Sequence, residues 1–151
     1  MKTLTLFELN SLVREVLENS FGHTFWVQGE ISSCQVNGSG HCYMELIQKD
    51  ASGGGIVARA KANVWRGTFQ RIRPYFEMQT GQRLTVGLNI LAEVSVSFHE
   101  AYGYSLVVQN IDPTYTMGDM ARRRREILAK LAADGVIDLN RELPMPLLPQ
   151  R

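Results

Sequence analysis

Several things are scarce in this chain, and each scarcity removes a class of function. No apolar run approaches the ~18 residues needed to span a bilayer. The opening residues lack the apolar core of a secretory signal, because Glu8 and Asn10 interrupt it. There are only two cysteines, Cys34 and Cys42. Neither belongs to a CxxC or zinc-ribbon spacing, so they read as two reduced thiols. The three histidines, His23, His41 and His99, are not at helical ligand spacing and no acidic cluster joins them. His41 therefore reads as a local hydrogen-bonding residue rather than a metal ligand. No nucleophile elbow is present. The run Gly53, Gly54, Gly55 lacks the lysine of a phosphate loop and reads as a flexible hairpin connection. Catalytic residues, a bound metal and a cofactor are accordingly not expected. Charge of one sign is also missing overall: 16 Lys and Arg against 15 Asp and Glu leave a net charge of +1.

The distribution of charge is less even. Between Ile56 and Leu84 lie Arg59, Lys61, Arg66, Arg71, Arg73 and Arg83, opposed by the single acid Glu77. Arg122 to Arg125 form a second basic block. A polyanion senses local potential, and a near-neutral chain can still present a basic face. The arginine block also has a plainer reading, as the solvated face of a helix.

The 151 residues suffice for one ordinary domain with an appendage. Thr5 and Glu8 have capping-box spacing. Leu6, Leu9, Leu12, Val13, Val16 and Leu17 then recur at helical intervals up to a stop near Gly22. The apolar face of this helix is expected to pack on a sheet. Strand-like runs follow at 24–31, 41–48, 56–65, 82–98 and 104–111, with a bend expected at Gly87. Residues 32–40 are rich in turn formers, and Ser33, Asn37, Ser39 and nearby amides offer a weak phosphate-approach signal. Residues 67–80 carry Phe69, Ile72, Tyr75, Phe76 and Met78, with a helix expected before or around Pro74. From Gly118 the pattern is helical again, with Asp119 as a candidate cap and Gly135 as a candidate stop. Met120, Ile127, Leu128 and Leu131 mark one face of that helix.

Five strands with an insertion between the third and fourth match the strand order of an OB-fold barrel, although other small barrels look similar. The expected fold is mainly β: a five-stranded OB-fold barrel with an N-terminal and a C-terminal helix. The expected segments are an N-terminal helix packing on the barrel (1–22), the barrel (23–116), a connecting helix (117–142) and a Pro-rich linker (143–151). That linker reads as leading into a further domain.

A site for single-stranded nucleic acid needs cations for phosphates and flat faces for bases. Residues Arg59, Lys61 and Trp65 fall on one face of an extended strand, with Arg66 following. Ala58, Ala60, Ala62 and Val64 fall on the other. The plainer alternative is a solvated strand carrying an exposed Trp. Trp26, on a face with Gln28 and Glu30, is either exposed or half-buried under the first helix. Tyr43 shares a face with His41 and Glu45. Tyr102 and Tyr104 lie in or beside the loop between the last two strands, and each of these tyrosines serves either surface contact or packing.

These motifs together resemble the N-terminal region of the large subunit of bacterial exodeoxyribonuclease VII. The match runs through Glu8-Leu9-Asn10, the stretch Val27 to Ser32 with Ser39 to Tyr43, the pair Trp65-Arg66, and the stretch Leu131 to Asp138 with Leu143-Pro144. It spans nearly the whole chain in order. The resemblance implies an N-terminal OB-fold domain that grips single-stranded DNA, then a nuclease domain, then long helices that gather small subunits. It implies a cytoplasmic holoenzyme that degrades single-stranded DNA to oligonucleotides from both ends. The same resemblance implies DNA contact at Trp65 and Arg66, and that the parent is the enzyme while this stretch binds. The loop Glu100-Ala101-Tyr102-Gly103-Tyr104 departs from the family's usual Glu-Pro-Arg-Gly-Asp-Tyr, so Tyr102 stands in for an arginine contact by stacking. An RNA-binding OB domain and a protein-interaction module are the alternatives.

Overall fold

A computed structural model describes residues 2–142, with side chains through residue 133. The Pro-rich segment 143–151 lies outside the described residues. The chain divides into two compact units, 1–116 and 117–151.

In the first unit, α1 (Leu6–Ser20) starts with the expected capping box. Glu8 N donates to Thr5 Oγ1 at 3.1 Å and Thr5 N donates to Glu8 Oε1 at 2.8 Å. Its apolar face does not pack as expected. The helix has no buried residue, and Leu6, Leu9, Leu12, Val13 and Val16 are exposed. Its bonds to the barrel are polar instead: Asn10 Nδ2 donates to the Glu100 carbonyl at 2.8 Å, and Arg14 pairs with the Glu100 carboxylate at 3.3 Å. The polar side of an amphipathic helix faces the sheet here, so periodicity found the helix but not its orientation.

The strands are β1 (Phe25–Val36), β2 (Cys42–Lys49), β3 (Ile56–Val64), β4 (Asn89–His99) and β5 (Gly103–Ile111). They close into a barrel in the order β1-β2-β3-β5-β4. All neighbours are antiparallel except β3 and β5, where Ala62 lies beside Leu106 in parallel. This is the expected five-stranded OB-type barrel. Strand β1 is long because a bulge between Ile31 and Ser33 lets it bend from one partner to the next. Residues 33–36 pair with β2 rather than forming the expected loop. Gly29 is needed where β1 crosses closely over β2, since a Cβ there would lie 3.2 Å from Leu46 Cβ.

Helix α2 (Arg66–Thr80) continues past Pro74. Its buried residues Phe69, Ile72 and Phe76 recur on one face and join Ile31, Met44, Val64, Ile90, Val94 and Val108 in one core. That burial outweighs the ~3 kcal/mol that an interior proline costs a helix. The fourth strand begins later than its sequence pattern suggests. Gly87 sits at φ +95° and donates its N–H to the Ile31 carbonyl at 2.8 Å, so the backbone turns there before β4 starts at Asn89.

Helix α3 (Pro113–Glu142) begins earlier than expected, at Pro113. Asp112 Oδ1 accepts from Thr114 N at 2.9 Å, the role expected of Asp119. Asp119 lies inside the helix, buried, and pairs with Arg122 and, at 3.0 Å, Arg123. The helix continues past Gly135. All four arginines of the block are exposed. Among the described residues, no helix is long and apolar enough to cross a membrane.

Candidate nucleic-acid interface

Strands β2 and β3 lie side by side with Tyr43 opposite Asn63 and Glu45 opposite Lys61. Cys42, Met44, Leu46, Ala62 and Val64 are buried, which turns the intervening positions outward. Arg59 and Lys61 are exposed on that outer side, as expected. Ala58 is exposed too, against expectation. The β2–β3 hairpin extends past the end of the core at this point, and all of 56–59 is solvated. The hairpin tip is pinned by Asp50, whose Oδ1 accepts from Ser52 Oγ at 2.8 Å and Gly54 N at 2.9 Å.

Trp65 is not the last residue of the strand but the junction between β3 and α2. It has an extended backbone at φ −70°, ψ 155° and stands at the N-cap of α2. The junction projects its ring, 42% exposed, beside two others. The His41 ring lies 5.2 Å away at 87° and the Tyr43 ring 6.3 Å away at 86°, while His41 and Tyr43 are 6.5 Å apart. Edge-to-face packing suits the ring quadrupoles and leaves flat faces open. Tyr43 is 40% exposed.

Arg66 starts α2, and its backbone N–H donates to Nδ1 of His41 at 2.9 Å. Its aliphatic stem lies over Gly40, where a Cβ would come within 2.9 Å of Arg66 Cγ. Gly40 is also at φ +90°. Trp65, at the N-cap, makes no capping bond with its own side chain, and the His41 ring takes the first N–H of α2 instead, at the positive end of the helix.

The turn before β2 is organised by Asn37. Its Oδ1 accepts from Ser39 N and His41 N, each at 3.0 Å, and its carbonyl accepts from Gly40 N at 3.0 Å. Those amides are spent inside the turn, which carries His41 at its end, so the weak phosphate-approach signal of this loop reads as a turn. Asn37 Nδ2 also donates to the Tyr43 hydroxyl at 3.4 Å.

The face is not purely cationic. Glu45 Oε2 is 3.6 Å from Arg59 Nε, and Ser32 Oγ donates to Glu45 Oε1 at 2.8 Å. The parallel register sets Ala62 beside Leu106, so Arg59 is level with Gly103. This carries the line of Trp65, Lys61 and Arg59 toward the β4–β5 turn. There Tyr104 is half-exposed, and Tyr102, 80% exposed, stacks on His99 at 4.6 Å and 27°. Trp26 is 52% exposed. It stands opposite Glu93 on the β1–β4 side, away from the other rings.

The structure thus brings Tyr43, Trp65, Arg66, Lys61 and Arg59 onto one face. Tyr102 lies at its far margin and Trp26 lies outside it. The mounting role of His41 at the start of α2 and the pairing of the acid Glu45 depend on contacts far apart in sequence. Among the described residues, no group of three or more His, Cys, Asp or Glu is placed to hold a metal.

Over 147 residues the chain is 37% identical to a protein of Deinococcus radiodurans named exodeoxyribonuclease 7 large subunit, covering 95% of this chain and 35% of that protein. It is 33% identical over 153 residues to the protein of the same name from Pseudomonas syringae pv. tomato, covering 99% of this chain and 29% of that one. The chain therefore spans about a third of the length of these relatives, and the resemblance read from the motifs holds over nearly all of it. A mitochondrial single-stranded DNA binding protein from S. cerevisiae superimposes with a TM-score of 0.41 at 14% identity, covering 60% of this chain and 90% of that one. Residues 4–112, from the start of α1 through the last barrel strand, match a family of nucleic-acid-binding domains, and the chain belongs to it: the OB-fold nucleic acid binding domain family.

Proposed function

We propose that this domain binds single-stranded DNA, as the DNA-gripping part of an exodeoxyribonuclease VII large subunit. The reading rests above all on the packed rings of His41, Tyr43 and Trp65 beside Arg66. Bases stack on Trp65 and Tyr43, while Arg66, Lys61 and Arg59 neutralise the backbone. Tyr102 adds a stacking surface at the margin of the face. The exposed ring of Trp26 offers a separate, weaker contact beside Glu93. Stacking on such rings is tolerant of sequence, so binding is largely sequence-independent.

The same reading assigns hydrolysis of DNA phosphodiesters to the full-length protein, with oligonucleotides as products. It gives this chain capture without cleavage. Its partners are then the nuclease domain of its own subunit and, through parts of the subunit beyond this chain, the small subunits of a cytoplasmic holoenzyme. Residues 117–142 serve as the connecting helix and 143–151 as the linker toward that nuclease domain.

The test is a tryptophan-fluorescence titration with a single-stranded oligonucleotide at two salt concentrations, with Trp65→Ala as control. Quenching should weaken by ~0.7 log units of affinity per log unit of salt for each phosphate neutralised. It should be strongly reduced in the variant. Absence of binding at low salt would overturn the reading, and equal binding of RNA and DNA oligonucleotides of one length would reassign the nucleic acid.

A further inference from the structure

The two cysteines are not isolated thiols. Cys34 is on β1 and Cys42 on β2, at diagonal positions of one antiparallel pair: Cys34 opposes Met44, and Cys42 opposes Val36. Both side chains turn inward, and their sulfurs are 3.5 Å apart. Reacting atoms held at about 3–3.5 Å are already near an attack geometry. A disulfide at about 2.05 Å asks the pair to close by roughly a further 1.5 Å.

The two sulfurs have different surroundings. Cys42 is fully buried. Cys34 is partly exposed and lines a cavity of about 430 Å³ together with Phe69, Arg73, Glu77 and Arg83. Arg73 is fixed at that cavity, with its Nε 3.2 Å from Glu77 Oε2 and its guanidinium 5.6 Å above the Phe69 ring. The hydrogen bond from Cys42 draws the Cys34 thiol down to about 7, with help from the Arg73 charge and against the cost of burial. The bond to Cys34 and burial push the Cys42 thiol up. Cys34 is therefore the more accessible and more readily ionised thiol, and Cys42 is its buried neighbour. Thiolate character and access are what select a cysteine for oxidation.

We propose that Cys34 and Cys42 form a peroxide-responsive dithiol site that closes reversibly to an intrachain disulfide between β1 and β2. The Cys34 thiolate attacks one oxygen of hydrogen peroxide. The O–O bond breaks, and the departing hydroxide takes up the proton that Cys34 had released and leaves as water. Cys34 is then a sulfenic acid. The Cys42 sulfur attacks the Cys34 sulfur; the S–S bond forms as the S–O bond breaks, and hydroxide leaves with the Cys42 proton as a second water. Two thiols have lost two electrons and two protons, and one peroxide has been reduced. Cys42 lies between His41 and Tyr43, so the bridge between β1 and β2 forms next to two residues of the aromatic cluster.

The test exposes the folded chain to hydrogen peroxide, removes excess with catalase, blocks remaining thiols with maleimide and maps the peptides by mass spectrometry. The expected product is a monomeric chain with no maleimide on either cysteine. Cys34 and Cys42 lie on one tryptic peptide, 15–49, which should be lighter by two hydrogen atoms and should regain them with dithiothreitol. In Cys42→Ser, Cys34 should be trapped by dimedone as the sulfenic acid; in Cys34→Ser, Cys42 should stay reactive only after unfolding. The unsubstituted chain decides the matter even if a variant folds poorly. Two labelled thiols after peroxide treatment, a bridge between two chains, or Cys34 driven to sulfinic acid with Cys42 untouched would each overturn the proposal.

Discussion

The backbone N–H of Arg66 donates to Nδ1 of His41 across 25 positions of sequence, at 2.9 Å. This bond joins the entry to β2 to the start of α2, and so ties the ring cluster to the guanidinium beside it. Without the ring, Arg66 loses its backbone anchor and Trp65 loses its nearest aromatic neighbour. His41→Ala should weaken oligonucleotide binding by about 5- to 20-fold, the cost of one or two modest contacts. It should leave far-ultraviolet circular dichroism unchanged, because the ring is at the barrel surface. Fluorescence anisotropy with a labelled oligonucleotide checks it, and an unchanged affinity would remove His41 from the site.

Trp65 offers a larger face. Stacking of one base on an aromatic ring contributes ~1–3 kcal/mol, so Trp65→Ala should reduce affinity by about 5- to 150-fold. Trp65→Phe should restore part of it. Trp26→Ala, on the other side of the barrel, should cost less than either. Anisotropy titrations of the three variants rank them, and Trp26 ranking first would move the track to the β1–β4 side.

Gly40 carries two constraints at once: a φ of +90° and an arginine stem lying where a Cβ would go. Left-handed backbone costs a non-glycine residue roughly 1–2 kcal/mol. Gly40→Ala should therefore lower the melting temperature by several degrees, at ~2–4 °C per kcal/mol for a chain of this size. Part of the strain is relieved if Arg66 swings away, so the variant should also bind DNA less tightly. Thermal melts and anisotropy on one sample separate the two effects. An unaltered melting temperature would mean that the turn at 37–41 relaxes freely.

Local signals made much of the barrel legible. The capping box of Thr5 and Glu8 acts within one turn, and the alternation of β2 and β3 reports two differently solvated sides. Errors arose where a distant contact decides. Leu84, Val86 and Leu88 alternate like a strand, yet Gly87 turns the backbone to bond with Ile31. Asp112 followed by Pro113 is a cap and first-turn signal that lies before the periodicity after Gly118. The apolar stripe of α1 marks a helix, but its polar partners on Glu100 choose which side meets the barrel. Within the site, Trp65-Arg66 was visible as a pair, whereas the mount under it is built from Asn37, Gly40 and His41.

Acid should loosen the attachment of α1. The Glu100 carboxyl is held below its ordinary value, first by a hydrogen bond from its own backbone amide and then by Arg14 and Ser11. A carboxyl lowered in the folded state binds fewer protons there than in the unfolded chain. Its contribution is complete above the ordinary carboxylate value of about 4.3 and is lost as pH falls through the lowered folded value. Glu100→Gln should therefore lower the melting temperature more at neutral pH than at an acidic pH below the ordinary carboxylate range. Equal losses at both pH values would assign the role of Glu100 to packing instead of charge.

Glu45 is the one acid set among the cations of the β2–β3 face, opposite Lys61 and 3.6 Å from Arg59. If the DNA backbone crosses this register, Glu45 repels phosphate and competes for the same guanidinium. Removing that charge while keeping an acceptor for Ser32 isolates the effect, so Glu45→Gln is the informative variant. Two unit charges at about 4 Å in a watery setting interact by ~1 kcal/mol, which corresponds to roughly fivefold tighter binding. The gain should be greatest at low salt and should fade near 1 M, where screening acts within about 3 Å. Trp65→Ala should weaken the variant and the unsubstituted chain by the same factor, since stacking and charge act at different places. Tighter binding that persists at high salt would point to a repacked surface. Unchanged or weaker binding at low salt would show that the track ends at the aromatic cluster and never reaches Lys61 and Arg59.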